Sequence, residues 1–199
     1  LKQTSVSVDT ETTSTDFLLA KLVGLAFSWE KGQGFFLPLP ENDDDVKSIL
    51  EKFKPFFENE SIEKTGHNLK YDLKVLSRYG ITVAGKLFDT MPDMRHSLDV
   101  LSETYLHYTP KSQSDLIGKG KTLISITKVP TEDLKEFAVE DADITGQLKT
   151  VFEKSLAENE ATKLFETIEI PLLVVLADME REGIRLDVDF LRTLSLELD

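Results

Sequence analysis

Three short strings place carboxylates where they could act together. Asp9-Thr10-Glu11 follows Val6-Ser7-Val8, an alternating run that predicts a strand. In a strand, side chains two apart point to the same face, so two carboxylates converge at its end. Asn68-Leu69-Lys70-Tyr71-Asp72 opens a predicted helix, and Phe137-Ala138-Val139-Glu140-Asp141 sets an aromatic ring and a carboxylate one turn apart on one helical face. Such a group of carboxylates suits a hard divalent cation held through oxygen. Each string also has an ordinary structural use: a polar strand end, an Asn cap with an acidic first turn, or a core Phe beside a solvated Asp. Position favours the first string, because an acidic pair ending a strand buried on both sides costs stability unless something binds it.

The elements that must position these residues follow from the hydrophobic pattern. Leu22 to Trp29 is almost without polar breaks, as a central strand covered on both faces would be, and Gly34-Phe35-Phe36-Leu37-Pro38 predicts a third strand. From Asp44, Val46, Ile49, Leu50, Phe53, Phe56 and Phe57 recur at helical spacing behind Asp43-Asp44-Asp45. Asn68 to Tyr79 predicts a second helix with Gly80 as its stop, and Phe88 ends another short strand. Helices follow over 97–106, 131–156 and 161–182, the last closed by Gly183, with Pro171 kinking or restarting it near Ile170. A further helix runs from Val188 to Asp199.

At 199 residues and 40% hydrophobic content the chain can bury one main core. The formal charge of −13 excludes a protein that grips nucleic acid over its whole face. Without cysteine there is no disulfide framework and no thiolate metal site, which suits a reducing cytoplasm. Leu1-Lys2-Gln3-Thr4-Ser5 lacks the apolar core of a signal peptide, and no apolar run is long enough to span a membrane. Gly120-Lys121-Thr122 resembles the end of a P-loop, but the first glycine would fall at Asp115 and no strand precedes it. His67, His96 and His107 form no metal-binding pair at helical spacing, and Lys119, Lys121 and Arg95 supply a small basic cluster.

Taken together and in order, the three acidic strings resemble the DEDD family of 3′-5′ exonucleases. Val8-Asp9-Thr10-Glu11-Thr12, Leu22-Val23-Gly24-Leu25, His67-Asn68-Leu69-Lys70-Tyr71-Asp72, Phe88-Asp89-Thr90-Met91, Gly118-Lys119-Gly120-Lys121 and Glu140-Asp141-Ala142-Asp143 resemble the Klenow-type exonuclease domain of bacterial DNA polymerase I. Ile168-Glu169-Ile170-Pro171-Leu172 and Met179-Glu180-Arg181-Glu182-Gly183-Ile184 resemble the start of that polymerase's thumb. The resemblance implies an α/β, ribonuclease H-like fold: a mixed sheet flanked by helices over 1–165, then the first polymerase helices over 166–199. It implies two Mg²⁺ ions, with Mn²⁺ able to substitute, held by Asp9, Glu11, Asp72 and Asp141. The substrate implied is a single-stranded or frayed 3′ end of DNA, trimmed to 5′-mononucleotides by a monomer attached to a polymerase in one longer chain. Thr10, Thr15, His67, Asn68, Arg95 and Gln113 fall where DNA contacts are expected.

Three departures from the family pattern stand out. The position four before the last Asp is a family tyrosine that orients the attacking water, and here it is Phe137. Thr15 stands where a wedging leucine falls, and Gln113 where a stacking phenylalanine falls. After Met91 roughly two helical turns of the family pattern are missing before Pro92, as residues left out of the sequence would produce. Two other readings keep the same fold, a processing ribonuclease acting on RNA and a non-catalytic module supporting the polymerase.

Overall fold

A computed structural model describes residues 3–91 and 97–198. Five strands form one mixed sheet in the order β3-β2-β1-β4-β5. β1 (Ser5–Thr12), β2 (Leu22–Glu30) and β3 (Gln33–Pro38) make an antiparallel meander, while β4 (Glu63–Gly66) and β5 (Leu87–Asp89) run parallel to β1 on its other side. The strand that carries Asp9 and Glu11 is therefore the middle one.

Alternation along β1 sorts its residues between two layers. Val6 and Val8 join Leu25 and Phe27 in the main core, against Val46, Leu50, Phe56 and Phe57 of α1 (Asp43–Phe57) and Val75 and Leu76 of α2 (Leu69–Arg78). Asn42 caps α1, its side chain accepting from the amides of Asp44 and Asp45. On the opposite face, Asp9 pairs with Ala26, and Ala26 packs on Ala138 and Ala142 of α5 (Thr131–Glu158). All three alanines are fully buried. One turn further on, a Cβ at Gly146 would lie 2.8 Å from Ser7 Oγ. Ala138, Ala142 and Gly146 recur every four residues, so they form one stripe of small side chains along α5. The helix can thus lie close on β1 and β2, and it brings Asp141, the neighbour of Ala142, with it.

Most expected elements form. α3 (Leu98–Leu101) continues in widened turns over Ser102–Leu106, and a short α4 (Gln113–Ile117) precedes α5. After α6 (Thr162–Leu164) the chain again takes widened turns over Phe165–Glu169, and α7 (Ile170–Glu182) begins with Pro171 in its first turn. The restart comes where the proline was expected to force it, because a first-turn N–H has no partner to lose. Gly80 and Gly183 end their helices at φ 78° and 70°. α8 (Val188–Leu198) closes the described chain. Among the described residues no helix is long and apolar enough to cross a membrane.

β4 was not anticipated, because Glu63-Lys64-Thr65-Gly66 has no apolar alternation. Lys64 is only 1% exposed, yet its ammonium donates to the carbonyls of Asn59 and Ala84, both at 2.6 Å. Burial pushes its pKa down to about 8. A charged side chain with both acceptors supplied thus takes a place where the pattern would call for an apolar one.

Ala142→Leu should push α5 off β2 and destabilise the fold by about 1–3 kcal/mol. Denaturant unfolding checks this: the midpoint should fall with the slope unchanged. A parental midpoint would show that the close approach of α5 is not under packing constraint.

Candidate active site

Asp9 and Glu11 share the α5 face of β1 and lie in its C-terminal half. Burial pushes Asp9 up to about 6, against a backbone hydrogen bond at Thr10 that favours the charged form. Glu11 is raised well above the ordinary carboxylate range by burial, then by the charges of Asp9 and Asp72. Asp141 is raised by burial, then by Asp9 and Glu11, with Asp99 and Glu140 adding to the effect. Asp72 is raised by burial and by Asp9, even though Thr10 Oγ1 donates to its Oδ1 at 2.6 Å. Asp9 thus disfavours ionisation of Glu11, Asp72 and Asp141, Asp72 that of Glu11, and Glu11 that of Asp141, on top of the burial that raises all four.

Among the described residues, no lysine or arginine is among the groups that shift these four, and Glu11 Oε1 is buried and accepts no hydrogen bond. Among the described residues, no three carboxylate or imidazole groups converge closely enough to enclose an ion as the side chains stand. The donors are all oxygen and one buried oxygen is orphaned, which fits a hard divalent cation.

Two contacts fix α2 and hence Asp72. Thr10 was expected to contact DNA, and its hydroxyl engages Asp72. A helix cap was the ordinary structural use of Asn68, whose expected role is a DNA contact, but it sits at φ 60° and its side chain makes no capping bond. The cap comes instead from β5: Asp89 accepts from the amides of Asn68, Leu69 and Met91, each at 2.9 Å. A carboxylate at the end of a neighbouring strand answers the free amides better than the short Asn side chain can from a left-handed backbone. Burial pushes Asp89 up to about 6 against those three amides, and its charge also raises Asp72. Its role was missed in the sequence, where the available signal was an acid closing a strand in Phe88-Asp89-Thr90-Met91.

The remaining expected residues take varied places. Phe137 is 7% exposed and, among the described residues, belongs to none of the four apolar clusters. It lies one turn before Asp141 on α5. His67 is half-buried, with Nδ1 3.0 Å from Thr90 Oγ1. Thr15 is exposed between β1 and β2. Gln113 is exposed at the start of α4, near a segment tied to α5 through Glu140, which accepts from Tyr108 Oη at 2.5 Å and from the Lys111 amide at 2.9 Å. Arg95 and the proposed gap after Met91 lie outside the described residues.

A five-stranded mixed sheet with acids at the end of its middle strand, and partners on α2 and α5, defines a ribonuclease H-like exonuclease fold. The same architecture occurs in Brucella melitensis NrnC with bound Mg²⁺ (TM-score 0.72, 19% identity, 92% of this chain and 87% of that one). It also occurs in the POL domain of Pol1 from M. smegmatis (0.71, 20%, 98% and 31%) and the catalytic core of RRP6 from Trypanosoma brucei (0.65, 18%, 86% and 46%). The 3′-5′ exonuclease family model matches residues 1–157. Over 197 residues the chain is 34% identical to DNA polymerase I of Borreliella burgdorferi and 36% identical to that of Chloroflexus aurantiacus, covering 94% of this chain and 21% of each relative. The chain belongs to the 3′-5′ exonuclease family and is an exonuclease hydrolase by class; it spans about a fifth of the length of these relatives.

The charge cluster makes a prediction about the metal-free chain. Asp9 titrates in the fold at about 6, above the ordinary 3.8, so the folded state binds that proton more tightly than the unfolded state. Its contribution to stability is complete below the ordinary value and is lost as pH rises through about 6. In chelator, the chain should melt at a higher temperature at about pH 5 than at about pH 7.5, and the Asp9→Asn/Asp141→Asn variant should lose most of that difference. Equal differences in both proteins would trace the effect to overall charge instead.

Proposed function

We propose that this chain hydrolyses the 3′-terminal phosphodiester of single-stranded or frayed DNA, releases 5′-mononucleotides, and edits for a polymerase carried in the same longer polypeptide. The observation that carries this reading is the cluster of four carboxylates, all raised by burial and three of them raised further by acidic neighbours, with Glu11 Oε1 buried and, among the described residues, unpartnered. Family membership supports the reaction, and the DNA polymerase I relatives support DNA as substrate. On this reading residues 1–165 form the nuclease, 166–199 open the polymerase thumb, and the protein is a cytoplasmic monomer.

Asp9, Glu11, Asp72 and Asp141 would hold two Mg²⁺ ions, with Mn²⁺ able to replace them. When bound, such ions supply a water acidic enough to attack phosphorus and a Lewis acid for the departing 3′ oxygen. The chain's own residues do the rest. Thr10 and Asp89 hold α2, so Asp72 is set in place before substrate arrives. Phe137, one turn before Asp141 on α5, can donate no hydrogen bond to a nucleophile. Thr15, His67, Asn68, Arg95 and Gln113 would guide the strand end, with Thr10 limited to backbone contact because its hydroxyl is engaged. A net charge of −13 gives the chain weak hold on DNA by itself, so the polymerase must deliver the end.

Asp9→Ala or Asp141→Ala should abolish release of mononucleotides from a single-stranded oligonucleotide while leaving the fold intact. Parental rates in either variant would exclude the metal assignment. Matched DNA and RNA oligonucleotides separate the proofreading reading from an RNA-processing one, and absence of saturable Mg²⁺ binding by calorimetry would identify an inert scaffold.

Phe137→Tyr should raise the single-turnover rate by about tenfold, roughly 1.4 kcal/mol of transition-state stabilisation. A phenol there can orient the nucleophilic water, and because no ligand changes, metal affinity should hold. An unchanged rate with a lowered melting temperature would mean that the added hydroxyl is buried without a partner.

A further inference from the structure

α2 is held from two sides, and one residue joins the two attachments. On its outer side, Glu180 of α7 accepts from Lys70 Nζ at 2.6 Å and, through its other oxygen, from Lys74 Nζ. Lys74 is the more enclosed of the two lysines, with its side chain 10% exposed. Its ammonium also lies 4.4 Å from the centre of the Phe17 ring. Phe17 belongs to the loop that leaves β1 just after Glu11 and is closed by the Thr13 amide on the Lys21 carbonyl. α2 holds that loop at two further points: Arg78 donates to the carbonyls of Phe17 and Ala20 at 2.6 and 2.5 Å, and Tyr71 Oη donates to the Ser14 carbonyl at 2.5 Å.

Lys74 thus has one partner on each side, a carboxylate from α7 and a ring from the loop. Without the carboxylate, an enclosed ammonium beside Lys70 keeps only the ring, and its best course is to swing out to water. Phe17, which also packs against the main core, then loses its contact on the α2 side. Glu180 lies beyond residues 1–157, the span of the exonuclease match, so the contact ties the nuclease to the segment that follows.

We propose that Glu180 is a positioning residue for the exonuclease: through Lys74 and Phe17 it couples the docking of α7 on α2 to the order of the Thr13–Lys21 loop beside the carboxylates. The loop is fully ordered to receive a 3′ end only when α7 is seated. This rests on the nuclease reading above for its consequence in catalysis, although the coupling itself is a property of the fold.

The test uses the full chain with Glu180→Gln, Lys74→Met and Phe17→Leu, and Glu180→Gln combined with Phe17→Leu. Amide hydrogen exchange is followed at Leu18, Leu19, Ala20 and Lys21, whose N–H groups bond within the loop to Asp16 and Thr13. Glu180→Gln and Lys74→Met should each speed exchange there by about fivefold or more, as a coupling energy at the low end of the usual range would give. With a single-stranded DNA substrate, KM should rise by a similar factor, about fivefold, while kcat stays within about twofold. In the Phe17→Leu background, Glu180→Gln should add little to either change. Faster exchange confined to α7, or effects of the two substitutions that simply add, would overturn the proposal and leave Glu180 as a docking contact alone. If the parent chain degrades no DNA, the nuclease reading falls, and the exchange measurements still decide the coupling.

Discussion

The cost of gathering four carboxylates away from solvent, two buried and two half-buried, is the constraint on which the rest of this structure depends. Burial raises Asp9, Glu11, Asp72 and Asp141, acidic neighbours raise the last three further, and among the described residues no lysine or arginine stands among the causes that shift them. A chain left to its local preferences would turn such side chains out to water. The fold prevents this by placing them on its most constrained parts: the middle strand of the sheet, a helix capped by a neighbouring strand, and a helix pressed close to the sheet by small residues. Core packing and loop anchoring thus serve to hold charges where they are costly.

α5 shows how one helix meets both demands. Its Ala138, Ala142 and Gly146 face the sheet, while Phe137 and Asp141 are offset by one residue from that stripe, and Asp141 comes within the field of Asp9 and Glu11. Larger residues on the stripe would build more core but would draw Asp141 away from Asp9. The helix gives up apolar burial along that stripe and recovers it on another side, where Ile144 and Leu148 pack with Leu98 and Leu101.

How much of this was legible in the sequence depended on the range of the interaction. Asp9 with Glu11, and Phe137 with Asp141, follow from local periodicity, since strand and helix repeats fix which neighbours share a face. The long helices and the restart at Pro171 were readable for the same reason. Asp89 was not, because it caps a helix that begins 20 residues earlier in the chain, and nothing local in Phe88-Asp89-Thr90 distinguishes a capping acid from a solvated one. β4 was hidden by Lys64, whose charge is satisfied by two carbonyls that only the folded chain brings together. Asn68 misled in the opposite direction: its type suits a cap, but its backbone conformation turns the side chain away from the helix amides.

Three buried side-chain oxygens lack hydrogen-bond partners among the described residues, and comparing them shows why one bears on function. Thr65 Oγ1 is neutral and lies within the sheet, where the loss is a single hydroxyl bond. Glu63 Oε1 lies 3.6 Å from Lys86 Nζ, and the other oxygen of that carboxylate is paired with Lys149, so its charge is answered even where the hydrogen bond is not. Glu11 Oε1 has neither form of relief: the groups that act on it are Asp9 and Asp72, both acidic. A protein stabilised only for its own fold would replace that carboxylate with an apolar side chain at little cost, since uncompensated buried charge is among the largest single penalties a core can carry. Breaches of local rules of this kind cluster where a site awaits a ligand. The missing compensation at Glu11 is positive charge, and it falls on the strand end where the two adjacent acids share a face with Asp141.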